Sequence, residues 1–340
     1  MAINRVARFG LNRYQAMQPG IIIVAGSLAY DRIFNYHKRF ADAILPSKIH
    51  ILNVSFGVTD VRQSFGGTAG NIAFTLRLLG RRALIVSSAG NDFQPYAKWL
   101  TRHQLDRSGI AIIKTRPTAA AYIITDRDDN QITAFQPGAL NEAVQWSALR
   151  HLPVGRIAYA IIAPGNPFTM LRLSRLCRRH KTPYLFDPGQ AIPALRSQDM
   201  RSMIGSSSGV ISNDYELALL LKQARVSWRQ MQAAVPYIVT TLGQKGALIY
   251  QGKKVIRIPA AKPHSEIDPT GAGDAWRAGF VAGLTQGAPL RIAGQMGAVA
   301  SVYTVERVGT QTHSFTPAEF AKRYQRNYGQ LLQLNSEDHL

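Results

Sequence analysis

The sequence predicts an α/β protein: a mostly parallel sheet flanked by helices, with a small β-sheet lid. Two observations carry the main body. Short, nearly unbroken β-branched runs recur along the 340 residues, and amphipathic stretches separate them. Strands covered on both faces lose the in–out alternation of a half-solvated sheet, and alternating strands and helices imply parallel crossovers. A third observation predicts the lid, because two segments break this rhythm with β-type patterns of their own.

Taken in order, the buried runs are IIIVAG (21–26), ALIVSS (83–88), IAYAIIA (157–163), YLFD (184–187), GVIS (209–212) and YIVTT (237–241). Between the first two lies NIAFTLRLLG (71–80), an amphipathic helix expected to stop at Gly80. The two interruptions cover about 31–65 and 110–136. The first includes KIHILNVSF, which alternates like an exposed strand; the second reads as IAIIKT, AAAYIIT, the polar turn DRDDNQ, and ITAFQ. Both are assigned to the lid. The main body is placed at 21–330, and residues 1–20, with three arginines and no acid, are expected to form a flexible N-terminal extension.

Composition narrows the function classes. No apolar run approaches the roughly 20 residues of a membrane helix, so no membrane partner is expected. The single cysteine, Cys177, cannot form an internal disulfide and suits the reducing cytoplasm. The net charge of +20 raises nucleic-acid binding, but the basic residues are dispersed and no zinc-finger or RNA-binding aromatic motif accompanies them. The densest group, Arg172, Arg175, Arg178, Arg179 and Lys181, has helical spacing and reads as a solvated face.

The chemistry concentrates in DPTGAGDAWRAGF (268–280). Gly271 and Gly273 let successive backbone N–H groups point into one concavity, and the helix that follows adds unpaired amides and a positive dipole end. That combination binds an anion, most readily a phosphate. Asp274 cannot serve the phosphate itself, so its place there makes sense as a base for a nucleophile attacking it. The sequence lacks the lysine of a P-loop, and Trp276 occupies the small-residue position of a dinucleotide fingerprint. A second cluster, FGGTAGNIA, places Gly66 and Gly67 as a hinge or a close-approach point before a helix. If they are a hinge, valine at Gly67 is expected to impair kinetics more than stability.

DPTGAGDAWRAGF together with GGTAGNIA strongly resembles the two signatures of the ribokinase-like (PfkB) carbohydrate and nucleoside kinases, over roughly residues 20–325. GSLAYD, NDYE and TTLGQKG extend the resemblance, and NVSFGV, AFQPGAL, FDPGQ and VGTQ look most like bacterial adenosine kinases. The resemblance implies a Rossmann-like α/β domain with a β-sheet lid, ATP and Mg2+ as cofactors, and phosphorylation of the 5′-hydroxyl of adenosine to AMP, a purine-salvage step. A ribokinase- or fructokinase-like sugar kinase, or a broad nucleoside kinase, is the alternative. It further implies Asp274 as base and Gly271, Ala272 and Gly273 as anion hole. Asp31, Gly66, Gly67 and Asn71 would hold the sugar, and Ser55, Phe56, Phe135 and Gln190 would line the adenosine pocket. Asn213, Thr241, Gly243 and Gly246 would meet the nucleotide, and Glu216 would act on the metal. A homodimer through the lid is a further expectation of the family.

Overall fold

A computed structural model describes residues 20–45, 50–51, 53–128, 130–145, 149 and 151–332. Apart from Gly20, the expected N-terminal extension lies outside these residues. The first half contains β1 (Ile21–Ala25), β2 (Ala29–Asn35), the short α1 (Phe40–Ala43), β3 (Asp60–Gly66), α2 (Thr68–Leu78), β4 (Ala83–Gly90), α3 (Gln94–Arg102), β5 (Asp106–Ile113), β6 (Ala119–Thr125) and β7 (Gln131–Gln136). The middle contains β8 (Ile157–Ile162), α4 (Pro167–His180), β9 (Tyr184–Phe186), α5 (Ser197–Ser206), β10 (Gly209–Asn213), α6 (Asp214–Ala224) and α7 (Trp228–Ala234). The remainder contains β11 (Tyr237–Thr241), β12 (Ala247–Gln251), β13 (Lys254–Ile258), α8 (Ala272–Thr285), α9 (Leu290–Val305) and α10 (Pro317–Tyr328).

Among the described residues the main sheet has nine strands in the order β13-β12-β11-β10-β9-β8-β1-β4-β5. Its pairs are parallel from β11 through β5, and only the β11–β12 and β12–β13 pairs, at one edge, are antiparallel. The central strands are buried along their length, β1 and β4 completely, as continuous apolar runs require. One apolar layer joins the sheet to α2, α3, α8 and α9; the other packs it against α4 to α7. Along α8 every residue from Ala275 to Thr285 is buried, so this helix sits inside the protein rather than on it.

The second sheet has the order β3-β2-β6-β7. It is the small sheet expected from the two interruptions, with two corrections. IAIIKT does not belong to it: residues 110–113 are the end of β5, which pairs with β4 at the edge of the main sheet. Nor do the described residues of KIHILNVSF form a strand. Residues 53–56 carry no regular structure, and the first interruption supplies β2 and β3 instead. Phe56 explains the misleading alternation, since its ring packs edge-on against Tyr36 and Phe40 in a local aromatic cluster rather than in a sheet.

Helix boundaries follow their caps. Asn213 and Glu216 form a reciprocal capping box at the start of α6, and Thr316 and Glu319 form another at α10. On α4, Arg175, Arg178 and Arg179 are exposed, as a solvated basic face should be. Cys177 is buried on the opposite side of the same helix, where burial pushes its thiol up to about 12 and leaves it inert.

Candidate active site

In a parallel sheet, loops at the carboxyl ends of the strands collect on one side, and that is where ligands bind. Here β10 ends at Asn213 and β11 at Thr241, which face each other in register. Asp187 follows β9, and the loop after β1 leads into the small sheet. The α8 N-terminus completes this rim.

Gly271 takes φ +79° and caps α8, a conformation that L side chains rarely adopt. A β-carbon there would also meet Thr310 Cγ2 at 2.9 Å. Asp268 builds the approach: its carboxylate accepts from the Thr270 amide at 2.9 Å and the Gly309 amide at 3.0 Å. The Ala272 amide is turned back onto the Pro269 carbonyl at 3.1 Å. Of the three expected anion-hole amides, those of Gly271 and Gly273 are therefore the ones left to meet a phosphate.

Asp274 occupies the first turn of α8. The Asn71 side-chain amide, from α2, donates to its Oδ2 at 2.8 Å. Burial drives its carboxyl up to about 6; Arg277 and the Asn71 bond oppose this, and Asp187 and Asp31 reinforce it. Asp31, on β2, is likewise pushed up to about 6, by burial first and by Asp268 second. The sugar-site candidate and the base candidate thus lie close enough for the charge of one to act on the other.

Gly66 and Gly67 stand at the junction of the small sheet and the body, but as close-approach points. A β-carbon on Gly66 would lie 2.2 Å from Asp31 Oδ2. Gly67 has φ +89°, and its β-carbon would meet Ser27 O at 2.6 Å and Ala29 N at 2.7 Å. Valine at Gly67 would collide with rigid backbone, so it would damage folding as well as kinetics, against the sequence-based expectation.

The register of the small sheet decides which side chains share the site. Asp31 pairs with Ala121 on β6 and Ala121 with Phe135 on β7, while Ser64 lies on Asp31's other side. Lateral partners in a sheet point to one face, so Ser64, Asp31, Ala121 and Phe135 form a row across it. Phe135 is 53% exposed, free to meet a ligand. Phe56 is engaged with Tyr36 and Phe40, Ser55 is exposed on the irregular segment beside it, and Gln190 is exposed in the turn after Asp187.

At the other end of the rim, Gly243 (φ +57°) and Gly246 (φ +87°) shape a tight turn after Thr241, closed by the Leu242 amide on the Gly246 carbonyl at 2.8 Å. Asn213 and Glu216 are brought together by the capping box, which uses Glu216 Oε2. That local role is sufficient to hold them, and it leaves Oε1 of a partly exposed carboxylate available. Among the described residues no cluster of three or more acids, histidines or cysteines could enclose a metal.

Two residues at the centre of this site carried no assigned role in the sequence reading. Arg277, one turn beyond Asp274, forms a two-pronged ion pair with Asp187, its Nη2 donating to Oδ1 at 2.9 Å and its Nε to Oδ2. Its Nη1 donates to the Gly273 carbonyl at 2.9 Å. Asp187 is 1% exposed; burial pulls its carboxyl upward, and Arg277 draws it back and stays protonated. An arginine in the apolar run that follows Asp274 was the available signal, since a buried charge needs a partner.

Comparisons with known proteins give the family. A model of the pfkB family carbohydrate kinases matches residues 23–318, and the chain belongs to that family. It is 29% identical over 313 residues to the nucleoside kinase of Methanocaldococcus jannaschii, covering 90% of this chain and 97% of the relative. It is 30% identical to the nucleoside kinase of Methanothermobacter thermautotrophicus, covering 82% and 90%. The solved nucleoside kinase of Burkholderia thailandensis in complex with inosine superposes with a TM-score of 0.79 at 32% identity, over 91% of this chain and 99% of that one. The protein is a phosphotransferase of the nucleoside and sugar kinase class, acting on a hydroxyl group. No helix among the described residues is long and apolar enough to cross a membrane.

Proposed function

We propose that this chain is an ATP-dependent nucleoside kinase that phosphorylates the 5′-hydroxyl of purine nucleosides, adenosine foremost, to the monophosphate. One observation carries the reading: Asp31 and Phe135 lie in one row on one face, two strand spacings apart. Two spacings are about 9–10 Å, the span from a ribose to the far side of its base. An ionised Asp31 accepts from both vicinal ribose hydroxyls, while Phe135 stacks on the purine. A free sugar would use the first contact and leave the second unmet. Apart from Asp31 the row carries no charge, so inosine should be accepted alongside adenosine.

With the ribose held by Asp31, the 5′-hydroxyl is directed toward Asp274. Its oxygen attacks the γ-phosphorus of ATP, the bond from that phosphorus to the β–γ bridging oxygen breaks, and the hydroxyl proton passes to Asp274. The amides of Gly271 and Gly273 and the α8 dipole stabilise charge on the transferring phosphoryl group. Arg277 fixes the Gly273 peptide from behind. The donor set suits Mg2+ held mainly by phosphate and water, with Glu216 acting at its edge. When bound, the ion neutralises phosphate charge.

Both acids must be ionised in the free enzyme, and both sit near 6. Their activity-linked form is therefore lost as pH falls through about 6. A profile of kcat/KM for adenosine should be flat between about pH 7 and 8 and fall below about 6 with a log slope between 1 and 2. A profile flat down to pH 5 would remove both carboxylates from the reacting form. The function itself is tested by product analysis: ATP, Mg2+ and adenosine should yield ADP and a monophosphate whose phosphorus resonance couples to the 5′ protons. Phosphate on another hydroxyl, or none, would refute it.

A further inference from the structure

The Asn71 amide could face Asp274 with either end. Presenting nitrogen, it donates to the carboxylate; presenting oxygen, it repels it. A chain of buried groups settles the choice. Gln311 is 2% exposed, and its Oε1 accepts from Trp99 Nε1 at 3.1 Å. Its Nε2 lies 3.0 Å from Asn71 Oδ1 and 2.6 Å from the Tyr96 hydroxyl. An indole nitrogen only donates, so the atom it meets must be the Gln311 oxygen. The Tyr96 hydroxyl gives its one proton to the Gly66 carbonyl at 2.8 Å, so it must accept from Gln311 nitrogen. Two independent partners thus fix the same orientation of Gln311, which then donates to Asn71 Oδ1.

We infer that Gln311, its polarity set by Trp99, is a positioning residue that makes Asn71 present its N–H to Asp274 Oδ2. The inference rests on the reading of Asp274 as the base. It ties the base, through Tyr96, to Gly66 at the end of β3, where the small sheet joins the body. Neither Gln311 nor Trp99 touches Asp274. The charged and titratable groups around Asp274 are Arg277 on its own helix, Asp187 after β9, Asp31 on β2 and Tyr96 on α3, and the substitutions below leave all of them in place.

In the Gln311→Glu variant the new side chain, once ionised, cannot donate to Asn71. Asn71 would then turn its N–H to the new carboxylate and its oxygen to Asp274, which disfavours the charged form of the base. This variant should show the acid limb of kcat/KM moved up by about one pH unit, with kcat/KM at pH 7 reduced by about twofold through that shift alone. Trp99→Phe keeps an aromatic ring but removes the indole donor, leaving Tyr96 alone to hold Gln311 and letting a flipped fraction of Gln311 appear. Its acid limb should shift in the same direction by a smaller amount, with melting temperature near that of the parent. If Gln311→Glu does not fold, Trp99→Phe carries the test alone. Folded variants whose acid limb stays at the wild-type position, whatever their melting temperatures, would overturn the inference. Failure of the underlying reading looks different: the unsubstituted enzyme would itself lack the limb near pH 6, or Asp274→Asn would remain active.

Discussion

Asp274→Asn should lose at least about 10²-fold in kcat and unfold at a higher temperature than the parent. The loss follows from removing the proton acceptor while keeping size and a polar contact to Asn71, and general-base contributions run from about 10² to 10⁴. The gain follows from the environment of the carboxylate, whose acidity is weakened to about 6 by burial. A carboxyl whose folded pKa lies above its ordinary value of about 4 destabilises the fold once ionised. That penalty is complete above pH 6 and vanishes below about 4. Because the group stays partly open to solvent, the gain at pH 8 should be on the order of 2 kcal/mol rather than the full shift, and it should close as pH falls toward 4. Calorimetry at pH 8 and 5 with a coupled kinetic assay checks both halves. Near-parental turnover would remove Asp274 from the chemistry; a lower melting temperature at pH 8 would contradict the electrostatic account.

Arg277→Met should destabilise the protein by about 3–5 kcal/mol, the usual effect of leaving one buried partner of an ion pair alone. For a chain of this size the melting temperature should drop by about 4–7 °C. Asp187 has almost no access to water, so it would have to be protonated or draw solvent into the core. Activity should fall too, because the Gly273 peptide loses its support at 2.9 Å. Adding Asp187→Leu removes the stranded charge and should restore much of the stability without restoring turnover. A single variant as stable as the parent would show that the pair is not closed to solvent as described.

The main sheet was legible because its central strands are covered on both sides. IIIVAG, ALIVSS and YIVTT have no reason to be continuous except burial, and they became β1, β4 and β11. β5 misled for the converse reason. At the sheet edge one side is open, Ile112 being 50% exposed, so its alternation resembles that of a lid strand. AAAYIIT and ITAFQ alternate because the small sheet is partly solvated, and they were placed correctly. The glycines of the α8 loop were readable from their unusual density before a helix. Gln311 and Asn71 were not readable as partners: they lie 240 positions apart, and neither Trp99 nor Tyr96 stands out in its own helix. Contacts between buried amides leave no periodic trace, whereas Arg277 left a compositional one, a charge within the apolar run that follows Asp274.

The most direct test of the nucleoside reading is the ratio of kcat/KM for adenosine and for ribose, measured side by side with saturating ATP and Mg2+. The ribose contact to Asp31 is common to both substrates, and only adenosine reaches Phe135. Base stacking contributes about 1–3 kcal/mol, and part of it serves to position the 5′-hydroxyl for attack. Adenosine should therefore be preferred by at least about 10²-fold, as about 3 kcal/mol would give. Equal or better turnover of ribose would contradict the row from Asp31 to Phe135 as a nucleoside site, and would leave a sugar kinase with the same base and anion loop.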